Sequence, residues 1–99
     1  MTAKTIAKAQ IDWILKENGG RKNILPVGMR YCPIIVFENE QSSSSLWSAE
    51  VYNTEINTRQ SIADVSYLSE DAPHHIFEQT GRKFFLYEGQ SVVAEGVIL

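Results

Sequence analysis

The stretch that most constrains the fold is the closing one, Lys83-Phe-Phe-Leu-Tyr-Glu-Gly-Gln-Ser-Val-Val-Ala-Glu-Gly-Val-Ile-Leu99. Two runs rich in aromatic and β-branched residues flank Glu88-Gly89-Gln90-Ser91, where Gly89 supplies the positive φ that a tight reversal needs. The pattern predicts a β-hairpin that presents Phe84, Leu86 and the apolar residues of Val92–Ile98 to a core. A chain that ends this way closes its core with its last strands.

The rest of the chain is punctuated in the same style. Arg30–Glu38 contains the apolar run Ile34–Phe37, its start marked by Pro33, and reads as a strand. Leu46–Asn53, with Trp47, Ala49, Val51 and Tyr52, reads as another, and Ser61–Ser69, with Ile62, Val65, Tyr67 and Leu68, as a third. Between them stand breakers: Asn18–Asn23 with its paired glycines, Gly28, the serine-rich exposed loop at 39–45, the polar connection Thr54–Gln60, Glu70–Pro73, and Thr80-Gly81-Arg82. Pro26 keeps the short Ile24-Leu25 pair from being a central strand. His74–Glu78 reads as a helical turn or a short strand. About six short strands with turns at fairly regular spacing predict an all-β barrel or sandwich, and there is no internal repeat.

The first residues carry two signals. Ala3–Glu17 is rich in helix formers and runs into Asn18-Gly19, a helix C-cap pattern. Ile11, Trp13 and Leu15 alternate with polar residues, which fits a strand over Thr5–Lys16 equally well, and periodicity alone does not choose.

Composition narrows the function classes. At 99 residues the chain has the length of one domain, and its hydrophobic share of 43% against 21% charged is that of a globular protein. No apolar run approaches the ~20 residues of a membrane helix. The first residues lack a signal-peptide core and Cys32 is the only cysteine, so the expected setting is the cytoplasm, without an internal disulfide. A net charge of −3 argues against charge-driven binding to nucleic acid as the general mode, although Arg21, Lys22 and Arg30, and Arg82 with Lys83, form local basic groups.

No reactive constellation stands out. Cys32 has no His near it in sequence to activate it, and it reads as structural. His74, His75 and Glu78 fall short of a zinc signature, which needs more ligands at defined spacing. The serine run lacks a nucleophile-elbow context, and neither Gly-Gly-Arg nor Gly-Gln-Ser matches a phosphate loop, so no nucleotide-hydrolysis site is expected. Glu38 with Glu40, and Glu70 with Asp71, read as solvated charge. The aromatics could stack bases but on short alternating strands they are expected in the core. The expectation is a protein that is not an enzyme and uses no cofactor or metal.

One combination goes beyond these generic signals. Gly19-Gly-Arg21, then Gly28 and Arg30 leading into an apolar strand, and finally Phe84-Phe-Leu-Tyr-Glu-Gly-Gln-Ser-Val-Val-Ala-Glu-Gly-Val97, resemble in order and spacing the C-terminal β-barrel domain of translation elongation factor Tu. The resemblance covers about Gln10 to Leu99. It implies a closed antiparallel six-stranded barrel of Greek-key type, a strand over Ile11–Lys16, and an irregular or helical stretch only within residues 1–9. In that family the domain contacts the T-arm of aminoacyl-tRNA and protein neighbours, so the resemblance implies a binding surface at Arg21, Lys22, Gly28, Arg30, Glu88 and Gly89; Arg82 and Lys83 join it as the second basic group. Gln90 and Ser91 stand where the family has Gly and Arg, Met29 replaces its Tyr, and Tyr31 takes its Pro position, which removes charge from the RNA-facing surface. The sequence carries no GTPase domain. The expectation is therefore a non-catalytic barrel module with a protein partner, of the kind an antidote or accessory factor near translation would be, and the alternative is an RNA or tRNA binder using the basic residues around the Gly-Gly-Arg turn.

Overall fold

The computed structural model describes residues 5–14, 26–38, 47–57 and 59–99. The expected turn at Asn18–Asn23, the Ile24-Leu25 pair, the serine-rich loop, and the candidate residues Arg21 and Lys22 lie outside the described residues. The strands are β1 (Ala7–Trp13), β2 (Arg30–Tyr31), β3 (Ile34–Phe37), β4 (Trp47–Asn57), β5 (Gln60–Tyr67), β6 (Lys83–Glu88) and β7 (Ser91–Ile98), with a 3-10 helix at His74–Glu78 between β5 and β6.

Every pairing is antiparallel, in the order β2-β4-β3-β6-β7-β1-β5, and β5 pairs back to β4. Six strands therefore close into a barrel and β2 adds to β4. The topology is Greek key: β3, β4 and β5 follow one another, and β1 lies beside β5 instead of beside β3. Arg30 faces Tyr52 and Ile34 faces Ser48, so β2 and β3 run against β4 in one unbroken register. What divides them is Pro33, which has no N–H to give the ladder but accepts from the Ala49 N–H at 2.8 Å. The sequence places a strand start at Pro33; the structure makes it an interruption within a longer strand.

The interior follows from alternation. Ala9, Ile11 and Trp13 of β1, Ile35 and Phe37 of β3, Ala49 and Val51 of β4, Ala63, Val65 and Tyr67 of β5, and Phe84 and Leu86 of β6 all point inward and are buried. The narrow barrel takes large side chains on some strands only because β1, β4 and β5 contribute alanines at facing positions. This corrects the expectation for residues 7–9, which belong to the strand, and for a strand beginning at Ile11; residues 1–4 lie outside the described residues. The strand begins at Ala7, because alanines that score as helix formers are here the small inward residues of a strand paired on both sides, to β5 and β7.

Two bulges adjust the frame. Leu86 pairs with Ala94 and Tyr87 with Val92, leaving Val93 as an extra residue, so that Val93 and Ala94 are buried in succession. Val92 and Val97, expected inside, are instead half-buried on the outer side. On β4, Asn53 pairs with Ala63 and Glu55 with Ile62, leaving Thr54 extra, its hydroxyl donating to the Ile62 carbonyl at 3.0 Å. The stretch Thr54–Asn57, expected as a loop, is the continuation of β4 beyond this bulge. Polarity misled the reading because this part of the hairpin extends past the core and needs no apolar face.

One end of the barrel is plugged by the segment that crosses from β5 to β6. Ile76 and Phe77 of the 3-10 helix are buried, and the Phe77 ring meets Tyr67 at 4.9 Å and Phe37 at 5.4 Å edge to face. Gly81, at φ +88°, turns the chain into β6. Helix is the outcome of the two alternatives for His74–Glu78.

Candidate functional site

The other end of the barrel, where β1, β4 and β6 finish and β5 and β7 start, gathers the polar chemistry. Inside it the Trp13 indole N–H donates to Ser61 Oγ at 2.9 Å, and the Ser61 hydroxyl donates to Asn53 Oδ1 at 2.8 Å. All three residues are buried, so this chain satisfies groups that would otherwise cost stability. The Asn53 carbonyl in turn accepts from the Gly28 N–H at 3.0 Å, which ties the Val27–Met29 turn to β4. Gly28 sits at φ +84°, a conformation other residues avoid.

From this turn the chain enters β2, and Tyr31 packs on the Trp13 ring at 5.9 Å. The Tyr31 hydroxyl donates to the Glu88 carboxylate at the start of the Gly89 turn, where φ is +62°. Arg30 Nε donates to Glu50 Oε2 at 2.8 Å. The neighbouring Cys32 and the Glu50 carboxylate hold the Arg30 guanidinium above its ordinary pKa.

Four of the candidate residues, Gly28, Arg30, Glu88 and Gly89, are thus brought to one end. Arg82 and Lys83 are not. They stand at the plugged end, where Lys83 opens β6, and the six-residue strand carries the chain from Lys83 to Glu88 over about 17 Å at the usual rise. Arg82 is occupied there: it donates to Gln79 Oε1 at 2.7 Å and to the Glu38 carbonyl at 3.3 Å, and its guanidinium lies 6.0 Å from the Phe37 ring centre. Cys32 is exposed beside β2, and His75 is exposed on the 3-10 helix.

Glu50 is a member of this end that the sequence did not single out, while Trp13 and Tyr31 were expected among the core aromatics rather than as part of a binding end. Tyr31 and Glu88 are 57 positions apart, and only the closed barrel makes them neighbours. Three large apolar side chains are exposed at the same end: Val27 and Met29 flank Gly28, and Ile56 lies three residues beyond Asn53 on β4. Among protein-family models, and among curated proteins, no match to this chain is found.

Proposed function

We propose that this chain is a non-catalytic β-barrel module that binds another protein, and that it docks through the end where the Val27–Met29 turn, Arg30, Tyr31 and the Glu88–Gly89 turn meet. The observation that carries the reading is the exposure there of Val27 at 59%, Met29 at 48% and Ile56 at 39%. Single exposed apolar residues are ordinary on protein surfaces, but several around one rigid polar frame are the composition of a protein contact. The frame is rigid because the buried Trp13–Ser61–Asn53 chain and the Tyr31–Glu88 bond hold the turns in place. The narrower idea of an accessory or antidote factor near translation rests on the resemblance to the elongation factor Tu barrel alone.

Two features favour protein over RNA as the partner. Arg30 is already engaged by Glu50, and Arg82 and Lys83 stand at the far end, so the described basic residues do not line one phosphate track.

The test is affinity capture from the native cell with the full chain and with a Val27→Asp/Met29→Asp variant shown to unfold like the wild type. A partner retained by the wild type and lost from the variant is the expected result. Equal capture by both, or no partner together with reproducible turnover of a small molecule, overturns the reading. Salt-sensitive tRNA binding that Arg30→Ala weakens would instead establish the RNA alternative.

A further inference from the structure

Beyond the Thr54 bulge, β4 and β5, with Gln10 of β1, line an open cavity of about 580 Å³. Its size is that of small-ligand or side-chain sites. Ile62 and Glu55, directly opposed on β5 and β4, share the outer face, Gln10 and Gln60 offer carboxamides there, Ile56 belongs to the side of its partner Ser61, and Glu55 is the one charged residue among the described residues lining the cavity. Neither Glu55 nor the two glutamines are engaged in a side-chain hydrogen bond or ion pair among the described residues.

Strand register places a second feature on the same face. Asp12 of β1 pairs directly with Glu95 of β7 on one side and with Gln60 of β5 on the other, and both carboxylates are exposed. Directly opposed side chains in an antiparallel pair have Cβ atoms about 5 Å apart, and like charges so placed repel. Neither acid has an ion-pair partner among the described residues. Two outward rows further along β1 the contrast shows, since Lys8 meets Asp64 at 2.8 Å there. Ile62 with free amide acceptors beside it and uncompensated carboxylates on two flanks repels phosphate and complements a cation on an alkyl stem.

We propose that this face receives a basic, extended segment of the protein partner, with one lysine or arginine stem lying on Ile62 and its cation at Glu55, and a second cation between Asp12 and Glu95. The inference rests on the protein-binding reading above and names the chemistry of the partner. Glu55 lies two strands and two residues along from Asp12, about 12 Å at standard sheet spacings, which matches basic residues four apart on an extended chain.

The experiment is a nuclear magnetic resonance titration of the full chain with a capped pentapeptide, Lys-Ala-Val-Ala-Lys, and with its Glu-Ala-Val-Ala-Glu counterpart. Amide shifts confined to the neighbourhoods of Gln10, Asp12, Glu55 and Gln60, seen with the lysine peptide alone, are expected. Glu55→Gln should weaken binding about three- to five-fold, the effect of one exposed ion pair. Asp12→Asn/Glu95→Gln should weaken it likewise while raising the unfolding midpoint of the free protein, because it removes the repulsion. Shifts scattered over the surface, binding of both peptides alike, or indifference to all three substitutions overturn the proposal. Because the titration needs no cellular partner, the two readings separate. Partner capture that Glu55→Lys leaves intact removes this inference and spares the protein-binding reading, whereas localised peptide binding with no captured partner does the reverse.

Discussion

Gly96 offers the sharpest test of how the barrel is packed. It is buried on β7 and pairs directly with Phe84 of β6. A Cβ added at Gly96 would lie 2.8 Å or less from three carbons of the Phe84 ring, so the ring covers the face of the glycine. Phe84 cannot simply move aside, being fully buried with its ring 5.7 Å from that of Phe37. Gly96→Ala therefore sets two effects of opposite sign against each other. Replacing a glycine inside a strand by alanine gains about 0.5–1 kcal/mol from backbone entropy. Overpacking a dense core costs about 1–3 kcal/mol. The balance is a destabilisation of about 0.5–2 kcal/mol, and each 1 kcal/mol lowers the melting temperature by about 4–8 °C in a domain of this size. Urea unfolding followed by the fluorescence of Trp13 and Trp47 reads the change, with an unaltered slope confirming that the folded state is the same. The companion variant Phe84→Leu leaves a void when made alone but gives the new methyl room, so the double variant should be more stable than the sum of the singles by about 1 kcal/mol or more. If Gly96→Ala matches or exceeds the wild type, or if the two changes are additive within about 0.5 kcal/mol, the close packing of ring on glycine is not what fixes this pair.

Two further substitutions probe the frame of the candidate binding end. Ser61→Ala removes the acceptor of the Trp13 indole N–H inside the barrel and should cost about 1–3 kcal/mol in the same urea assay, whereas a loss below about 0.5 kcal/mol would mean that the buried polar chain is not a stabilising element. Gly89 stands at φ +62°, so Gly89→Ala should lose about 1–2 kcal/mol and Gly89→Asn distinctly less, since asparagine tolerates the left-handed region; equal midpoints for alanine and glycine would refute the turn geometry.

The elements that were legible in the sequence are those with strong local punctuation. The closing hairpin falls at Lys83–Glu88 and Ser91–Ile98 around Gly89, because a glycine between two β-branched or aromatic runs leaves few other solutions. Ile34–Phe37 was legible for the same reason. The first strand was legible only in part: the alternation of Ile11 and Trp13 offered it, but its start was hidden, because Ala7 and Ala9 carry helix propensity by themselves and become inward strand residues only once β5 and β7 flank them. The bulge at Val93 was equally hidden. Period-two alternation predicts one inward residue in every two, and the extra residue that buries Val93 beside Ala94 is a property of the partner strand's register.

Charge was the least legible property, and the barrel explains why. Residues adjacent along a strand are spread over the length of the molecule and alternate between its two sides, so a run of basic residues does not make a basic face. Arg82 and Lys83 sit six to seven positions from Gly89, yet the intervening strand carries them to the opposite end, while Tyr31, 57 positions from Glu88, is bonded to it. Outward patches are written across strands, one residue from each. The row Glu95–Asp12–Gln60–Asn57 takes its members from β7, β1, β5 and β4, and no window of sequence holds two acids of it together. Partner chemistry in a closed sheet is therefore read from register. Register places uncompensated carboxylates beside Ile62 on the outer face, next to the barrel end where Val27, Met29 and Ile56 are exposed. A partner that covers both would present apolar side chains flanked by basic ones, and neutralising Asp12, Glu55 and Glu95 together should slow its association by a larger factor than it speeds its dissociation, because charges at the rim of a contact steer the encounter more than they hold the complex.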